Sequence, residues 1–216
     1  MKIIMTYLIR YNLNKNTGVF YDGKKRVIRK FFINLKKKFK LNLIKNEFRG
    51  YKWYLNRLKK SKKLKYSIIS NNLNYIQVPL IRGKKYMFWD NFIFNKNEIQ
   101  IVINHYKKVW PNKKKVPFHG DLTLENIIFL NNSNIFLVDW ENFREKEEWG
   151  LDLSYFLISL IVLPNLNKNN KIIDVKEMQQ FKIIWKNTFL NKNYDYLIDP
   201  LEYLKKRQIH KRNFFF

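Results

Sequence analysis

The chain has 216 residues, 46% of them hydrophobic and 28% charged, a balance that excludes intrinsic disorder and supplies a core for one compact domain or two small lobes. With no Cys and three scattered His, it excludes a disulfide scaffold, cysteine-ligated metals and a histidine cage, leaving oxygen-held cations as the only metal chemistry open to it. The net charge of +26 sits wholly in residues 1–118, where 30 Lys+Arg face only Asp22, Glu47, Asp90 and Glu98; residues 119–216 carry 13 of each sign.

The first third reads as strands. Ile3–Arg10, Val19–Tyr21 and Arg26–Phe32 have the composition, with a polar loop over Asn12–Gly18 and a hairpin dipeptide at Asp22-Gly23. After the lysine run Lys36–Lys40, the spacing of Leu43, Phe48, Tyr51, Leu55 and Leu58 predicts a helix over Leu43–Leu58. Ser61–Lys65 reads as a polar connector. Ile76–Ile81 and Tyr86–Phe92 read as a second hairpin around Arg82-Gly83-Lys84, which places Pro79 at a strand start or edge. The expected unit is a small antiparallel sheet with one helix on it, ending near residue 92.

Ile99–Trp110 has helical periodicity, and the basic Pro111–Lys115 stretch separates it from the segment after it. Beyond residue 118 the pattern is strand, loop and strand, then helices at Asp152–Leu163, Val175–Phe189 and Pro200–Lys211, with Asn165–Asn170 as a loop. Leu153–Leu163, the longest apolar stretch at 11 residues, is too short to cross a bilayer, so no transmembrane segment is expected.

Chemistry concentrates in residues 116–143. His119-Gly120-Asp121 interrupts an apolar run and makes a tight turn that presents a carboxylate. Asn126 follows five positions later, then Ile127–Leu130 as a strand, a turn at Asn131–Asn134, and Ile135–Val138 running back to Asp139. That return brings Asp121, Asn126 and Asp139 to one mouth. Two carboxylates and an amide oxygen suit magnesium, which takes few protein ligands and keeps phosphates and water. Glu141, two residues past Asp139, falls on the same side of an extended chain and joins the metal candidates.

Asp-x4-Asn followed by Asp at a strand end is the catalytic-loop and metal-loop arrangement of protein-kinase-like phosphotransferases. The form His119-Gly120-Asp121-Leu122 with Asn126, then Asp139-Trp140-Glu141 and Trp149-Gly150-Leu151-Asp152-Leu153, resembles the aminoglycoside phosphotransferase and choline kinase-like family. The resemblance implies an α+β fold of the two-lobed protein-kinase-like type: a nucleotide-binding lobe over 1–92 with a small antiparallel sheet, and a mainly helical catalytic and acceptor-binding lobe over 93–216. It implies Asp121 as the catalytic base, Asn126, Asp139 and Glu141 toward magnesium, and His119 and Asp152 as supports of the loop. In the first lobe it implies Lys30 on the third strand for the phosphates, Glu47 on the helix as its partner, and backbone groups near Phe88 and Asp90 against the adenine. Arg29, one residue away, would face the opposite side of the sheet.

The implied reaction is transfer of a phosphoryl group from ATP, or another nucleoside triphosphate, to a hydroxyl of a small molecule such as a sugar, an amino alcohol like choline, or a glycan terminus. Trp140, Trp149, Tyr155 and Trp185 offer an aromatic face should that molecule be a quaternary amine, although core packing is the expected place of most of them; Glu145, Glu147 and Glu148 read as a solvated loop. A protein kinase fits less well, because Asn12–Gly18 holds one glycine and Asp139 is followed by Trp-Glu. The other class is a catalytically weak kinase-like binding protein using its basic first lobe on nucleic acid or anionic lipid. Against it, the chain has no alanine and abundant Lys, Asn and Ile, as an AT-rich coding sequence produces, so its lysines are expected to be spread over the lobe surface with no specific nucleic acid partner. A cytoplasmic location is expected; the oligomeric state is left open.

Overall fold

The structure, a computed structural model, describes residues 6–12, 17–22, 26–32, 37–59, 67–71, 73–86, 95–131, 133–166, 175–190, 199 and 202. Among them, β1 (Thr6–Asn12), β2 (Thr17–Asp22), β3 (Val27–Phe32), β4 (Ser67–Asn71) and β5 (Leu73–Pro79) form an antiparallel sheet of order β1-β2-β3-β5-β4. Helix α1 (Lys37–Arg57) lies between β3 and β4 in the chain and packs on the sheet. Its buried positions Ile44, Glu47, Gly50, Tyr51, Tyr54 and Leu55 fall on one stripe, and Glu47 is the single acid in it.

The register fixes which side chains share a face. Lys30 stands opposite Val19 and the fully buried Ile76, whereas Arg29 stands opposite Phe20 and Gln77. Arg29 bonds Asp22 Oδ2 at 2.9 Å and Gln77 Oε1 at 3.2 Å on that outer face. Lys30 is thereby directed inward, toward α1.

Three expectations need correction. Strand β5 pairs with β3 on one side and β4 on the other, so its hairpin partner is β4, upstream of it, and not a strand after Gly83. Lys84–Lys85, as β6, pairs instead with β8 (Ile127–Phe129), which pairs in turn with β9 (Ile135–Leu137). The glycine marks a close approach: a Cβ on Gly83 would lie 2.4 Å from the Phe129 carbonyl oxygen. Helix α1 begins at Lys37, six residues before the apolar periodicity, because lysine propagates a helix nearly as well as leucine. Finally, Lys115–Phe118, which starts at the last residue of the Pro111–Lys115 separator, and Arg144–Glu148, which contains the expected loop residues Glu145, Glu147 and Glu148, pair as β7 and β10.

The second lobe is built on α2 (Lys96–Val109), α3 (Leu151–Leu166) and α4 (Val175–Phe189). Asn95 caps α2 by accepting from the Asn97 and Glu98 amides. Tyr106 and Trp110 at its end stack at 4.3 Å, and Trp110 Nε1 donates to Pro117 O at 2.6 Å, tying α2 to β7. Residues 151–160 of α3 are buried at every position but Tyr155. Trp53, Trp110, Trp140 and Phe143 join the lobes in one aromatic cluster, with Trp53 4.9 Å from Trp110 and 5.9 Å from Trp140. No helix among the described residues is long and apolar enough to cross a membrane. The expected lobe boundary near 92, most of the Tyr86–Phe92 strand, and the helix expected over 200–211 apart from Glu202 lie outside the described residues.

Candidate active site

Strand β7 delivers the chain into the loop 119–126. Gly120 turns it at φ +88°, where a Cβ would also lie 2.6 Å from the Asn142 carbonyl oxygen, so both the dihedral and the space call for glycine. Asp152, in the first turn of α3, accepts the His119 amide at 2.8 Å and the Gly120 amide at 3.1 Å. A single carboxylate thus satisfies two buried backbone donors of the turn.

The His119 ring is fully buried. Its Nε2 donates to Val138 O at 3.0 Å, and its Nδ1 accepts the Asp121 amide at 3.3 Å. A carbonyl can only accept and an amide can only donate, so the ring is neutral with its proton on Nε2. Burial, the main cause, lowers its pKa to about 4, which agrees. The ring links the loop holding Asp121 to the strand end holding Asp139.

Asn126 closes the loop, its amide nitrogen donating to Asp121 O at 2.8 Å and to Asp121 Oδ2 at 3.0 Å. Spending the nitrogen on Asp121 leaves the amide oxygen on the other side. Asn126 O accepts the Val138 amide at 3.0 Å, which sets the start of β8 beside the end of β9. The chain then enters Asp139 at φ +69°, a conformation that is costly for a residue with a Cβ. The hydroxyl oxygen of the buried Tyr51 accepts a hydrogen bond from the Asp139 backbone amide, joining α1 to this bend.

Lys30 meets the acids here. Its Nζ lies 3.1 Å from Glu47 Oε2 and 2.9 Å from Glu141 Oε2, and it donates to Asp139 Oδ1. Burial opposes the Lys30 charge, but Asp139, Glu47 and Glu141 together outweigh it and hold the ammonium well above its usual pKa. The Glu47 pKa is raised as well, which for an acid disfavours the charged form: burial, helped by Asp139 and Glu141 against the pull of Lys30, takes it to about 7. One ammonium among three carboxylates leaves the group short of positive charge. Glu47, Asp139 and Glu141 each place an oxygen within 4.8 Å of the others, and such a hard, oxygen-only set fits a divalent cation.

Of the sequence candidates, Lys30, Glu47, Asp139 and Glu141 form one cluster, and Asp121 and Asn126 form the adjoining loop, braced by His119 and Asp152. Phe88 and Asp90 lie outside the described residues. Trp140, Trp149 and Trp185 are core residues, at most 3% exposed, so of the four aromatic candidates only Tyr155 is partly exposed. The sequence reading gave Glu47 no place in a cation-holding group and gave Tyr155 no contact with Asp121, whose Oδ1 accepts the Tyr155 hydroxyl at 3.3 Å. The signal for the latter was present: Tyr155 follows Asp152 by three residues on a helix, and so shares its face.

No protein-family model and no curated protein matches the chain. Solved structures do. A WbdD structure, a co-crystal with the kinase inhibitor LY294002, matches 89% of this chain and 44% of its own at 14% identity, with a TM-score of 0.51. This chain therefore spans less than half the length of the WbdD chain. A choline/ethanolamine kinase family protein from Mesorhizobium loti matches 95% of this chain and 86% of its own at 10% identity and a TM-score of 0.41. The ternary complex of streptomycin, ATP and APH(2")-IIa matches 92% and 90% at 13% identity and a TM-score of 0.41. The likeness to WbdD is one of fold: the chain has the two-lobed, kinase-like α+β fold.

Proposed function

We propose that the chain is a phosphotransferase that moves the terminal phosphoryl group of ATP, or of another nucleoside triphosphate, to a hydroxyl of a small molecule. The observation that carries this reading is the convergence of Lys30, Glu47, Asp139 and Glu141 beside the loop presenting Asp121 and Asn126. Lys30 can give up its contacts to Asp139 and Glu141 for the phosphates while Glu47 keeps it aimed. Glu47 is 2% exposed and fixed on α1, so it neutralises the lysine from behind. Asn126, Asp139 and Glu141 would hold magnesium, which when bound with the nucleotide neutralises charge on the phosphates.

Asp121 orients the acceptor hydroxyl and takes up its proton as the bond to phosphorus forms. A loose transition state asks little activation of the nucleophile, so the work of the loop is positioning. Asn126 fixes one carboxylate oxygen; Asp152 and His119 fix the backbone that carries it. Phe88 and Asp90 belong to the segment proposed to receive the base of the nucleotide, and the proposed lobes meet near residue 92. The acceptor is proposed to be a sugar, an amino alcohol or a glycan terminus, met in the cytoplasm.

The test is ADP release by purified protein with ATP and magnesium against choline, ethanolamine, glucose and mannose. Turnover that rises with one of these compounds and vanishes in Asp121→Asn supports the reading. Salt-sensitive binding to a polyanion with no ATP turnover would replace it with the binding-protein reading.

A further inference from the structure

We infer that Tyr155 is the acceptor-side positioning residue of this site: its hydroxyl holds Asp121 Oδ1 in the resting chain, and its ring walls the place where the acceptor hydroxyl docks. The inference rests on the phosphotransfer reading and adds to it a residue beside Asp121.

Two observations carry it. Tyr155 is the one position of residues 151–160 in α3 that is not buried, and it is also the one whose side chain reaches Asp121. A large side chain that is only half-buried there meets a carboxylate that is itself half-buried. The bonds that carboxylate accepts from Asn126 and from Tyr155 also differ. Asn126 Nδ2 holds Oδ2 at 3.0 Å, an ordinary length for a nitrogen donor. The Tyr155 hydroxyl reaches Oδ1 at 3.3 Å, beyond the usual ~2.7–2.8 Å between oxygens. The weaker hold is the one an incoming hydroxyl can replace without disturbing Asn126.

Helix α3 also sets the two holds in register. Asp152 grips the backbone of the turn, and Tyr155, on the same face three residues on, meets its side chain. Burial first, and then the Asp121 charge, push the Tyr155 phenol above its ordinary value, so it remains a donor at any working pH. Lys30 and the acids mark the proposed phosphate end of the site. Nucleotide and acceptor would then meet at Asp121, with Tyr155 on the acceptor side.

The test is steady-state kinetics of Tyr155→Phe and Tyr155→His beside the wild type, with ATP and, in turn, choline, ethanolamine, glucose and mannose as hydroxyl probes. Thermal melting of each protein is measured in parallel. Removing the hydroxyl is expected to lower kcat by on the order of tenfold and to raise KM for the active probe, with KM for ATP and the melting temperature near wild type. Tyr155→His, which keeps a ring and a donor, is expected to recover part of the loss. Wild-type kinetics in Tyr155→Phe, an equal loss toward ATP and probe, or a failure of that variant to fold would each overturn Tyr155 as a positioning residue and leave the phosphotransfer reading standing. A wild type that turns over with no probe would overturn that reading, and this inference with it.

Discussion

Glu141 Oε2 lies 2.9 Å from Lys30 Nζ, so the lysine that faces Glu47 behind it also reaches the acids in front. In this arrangement the ammonium neutralises the carboxylates that the proposed magnesium would otherwise face.

Lys30→Met removes the one cation from three carboxylates. Lys30 is only 8% exposed, and its loss strands the buried Glu47. Breaking a buried pair costs roughly 3–5 kcal/mol, and the lower end applies because Asp139 and Glu141 keep access to water. Magnesium should then raise the melting temperature of the variant more than that of the wild type. Equal shifts in the two proteins would show that Lys30 does not occupy the cation's ground.

His119 predicts a pH dependence of stability. Its folded pKa is depressed from 6.5 to about 4, so between those values the unfolded chain binds the extra proton. Its contribution is therefore full above pH 6.5 and lost as pH falls toward 4, a change of about 3 kcal/mol. Glu47, raised from 4.5 to about 7, slopes the other way in the same window. The difference between wild type and His119→Asn isolates the histidine. Chemical denaturation across pH 4–7 should show that difference widening as pH rises.

Gly50→Ala sets two effects against each other. Alanine gains about 1 kcal/mol of helix propensity over glycine. Its Cβ, however, would lie 2.6 Å from Trp140 Cβ and 2.9 Å from Cγ, parts of a fully buried side chain that cannot swing away. Overpacking costs about 1–3 kcal/mol, so a net loss of up to about 2 kcal/mol is expected from urea unfolding. A stabilised variant would mean that α1 and Trp140 are less closely packed than 2.6 Å implies.

The loop from His119 to Asp139 was legible because its logic is local: a turn, an amide five residues on, and a return strand bring the groups together within one short stretch. Lys30 was legible through strand alternation and Glu47 through its isolation among basic residues. What the sequence hid was pairing between distant segments. Nothing in Lys115–Phe118, a four-residue stretch interrupted by Pro117, or in the wholly charged Arg144–Glu148 announces a strand, because their hydrogen bonds come from each other. Gly83 looked like a hairpin turn because a close backbone approach and a turn both ask for glycine. Tyr155 was read as an aromatic surface, since its link to Asp121 exists only once α3 docks under the loop.

Asp121 is the residue on which the proposed chemistry depends most. Its carboxylate would touch the acceptor, and the bonds it accepts from Asn126 and Tyr155 lie within the site itself. The direct measurement is transfer of labelled terminal phosphate from ATP to choline, ethanolamine, glucose or mannose by wild type and by Asp121→Asn, with melting temperatures taken alongside. The prediction is labelled product with wild type, and a rate lower by on the order of 10²–10⁴-fold in the variant at a near-unchanged melting temperature. Transfer at the wild-type rate by Asp121→Asn would contradict the assignment.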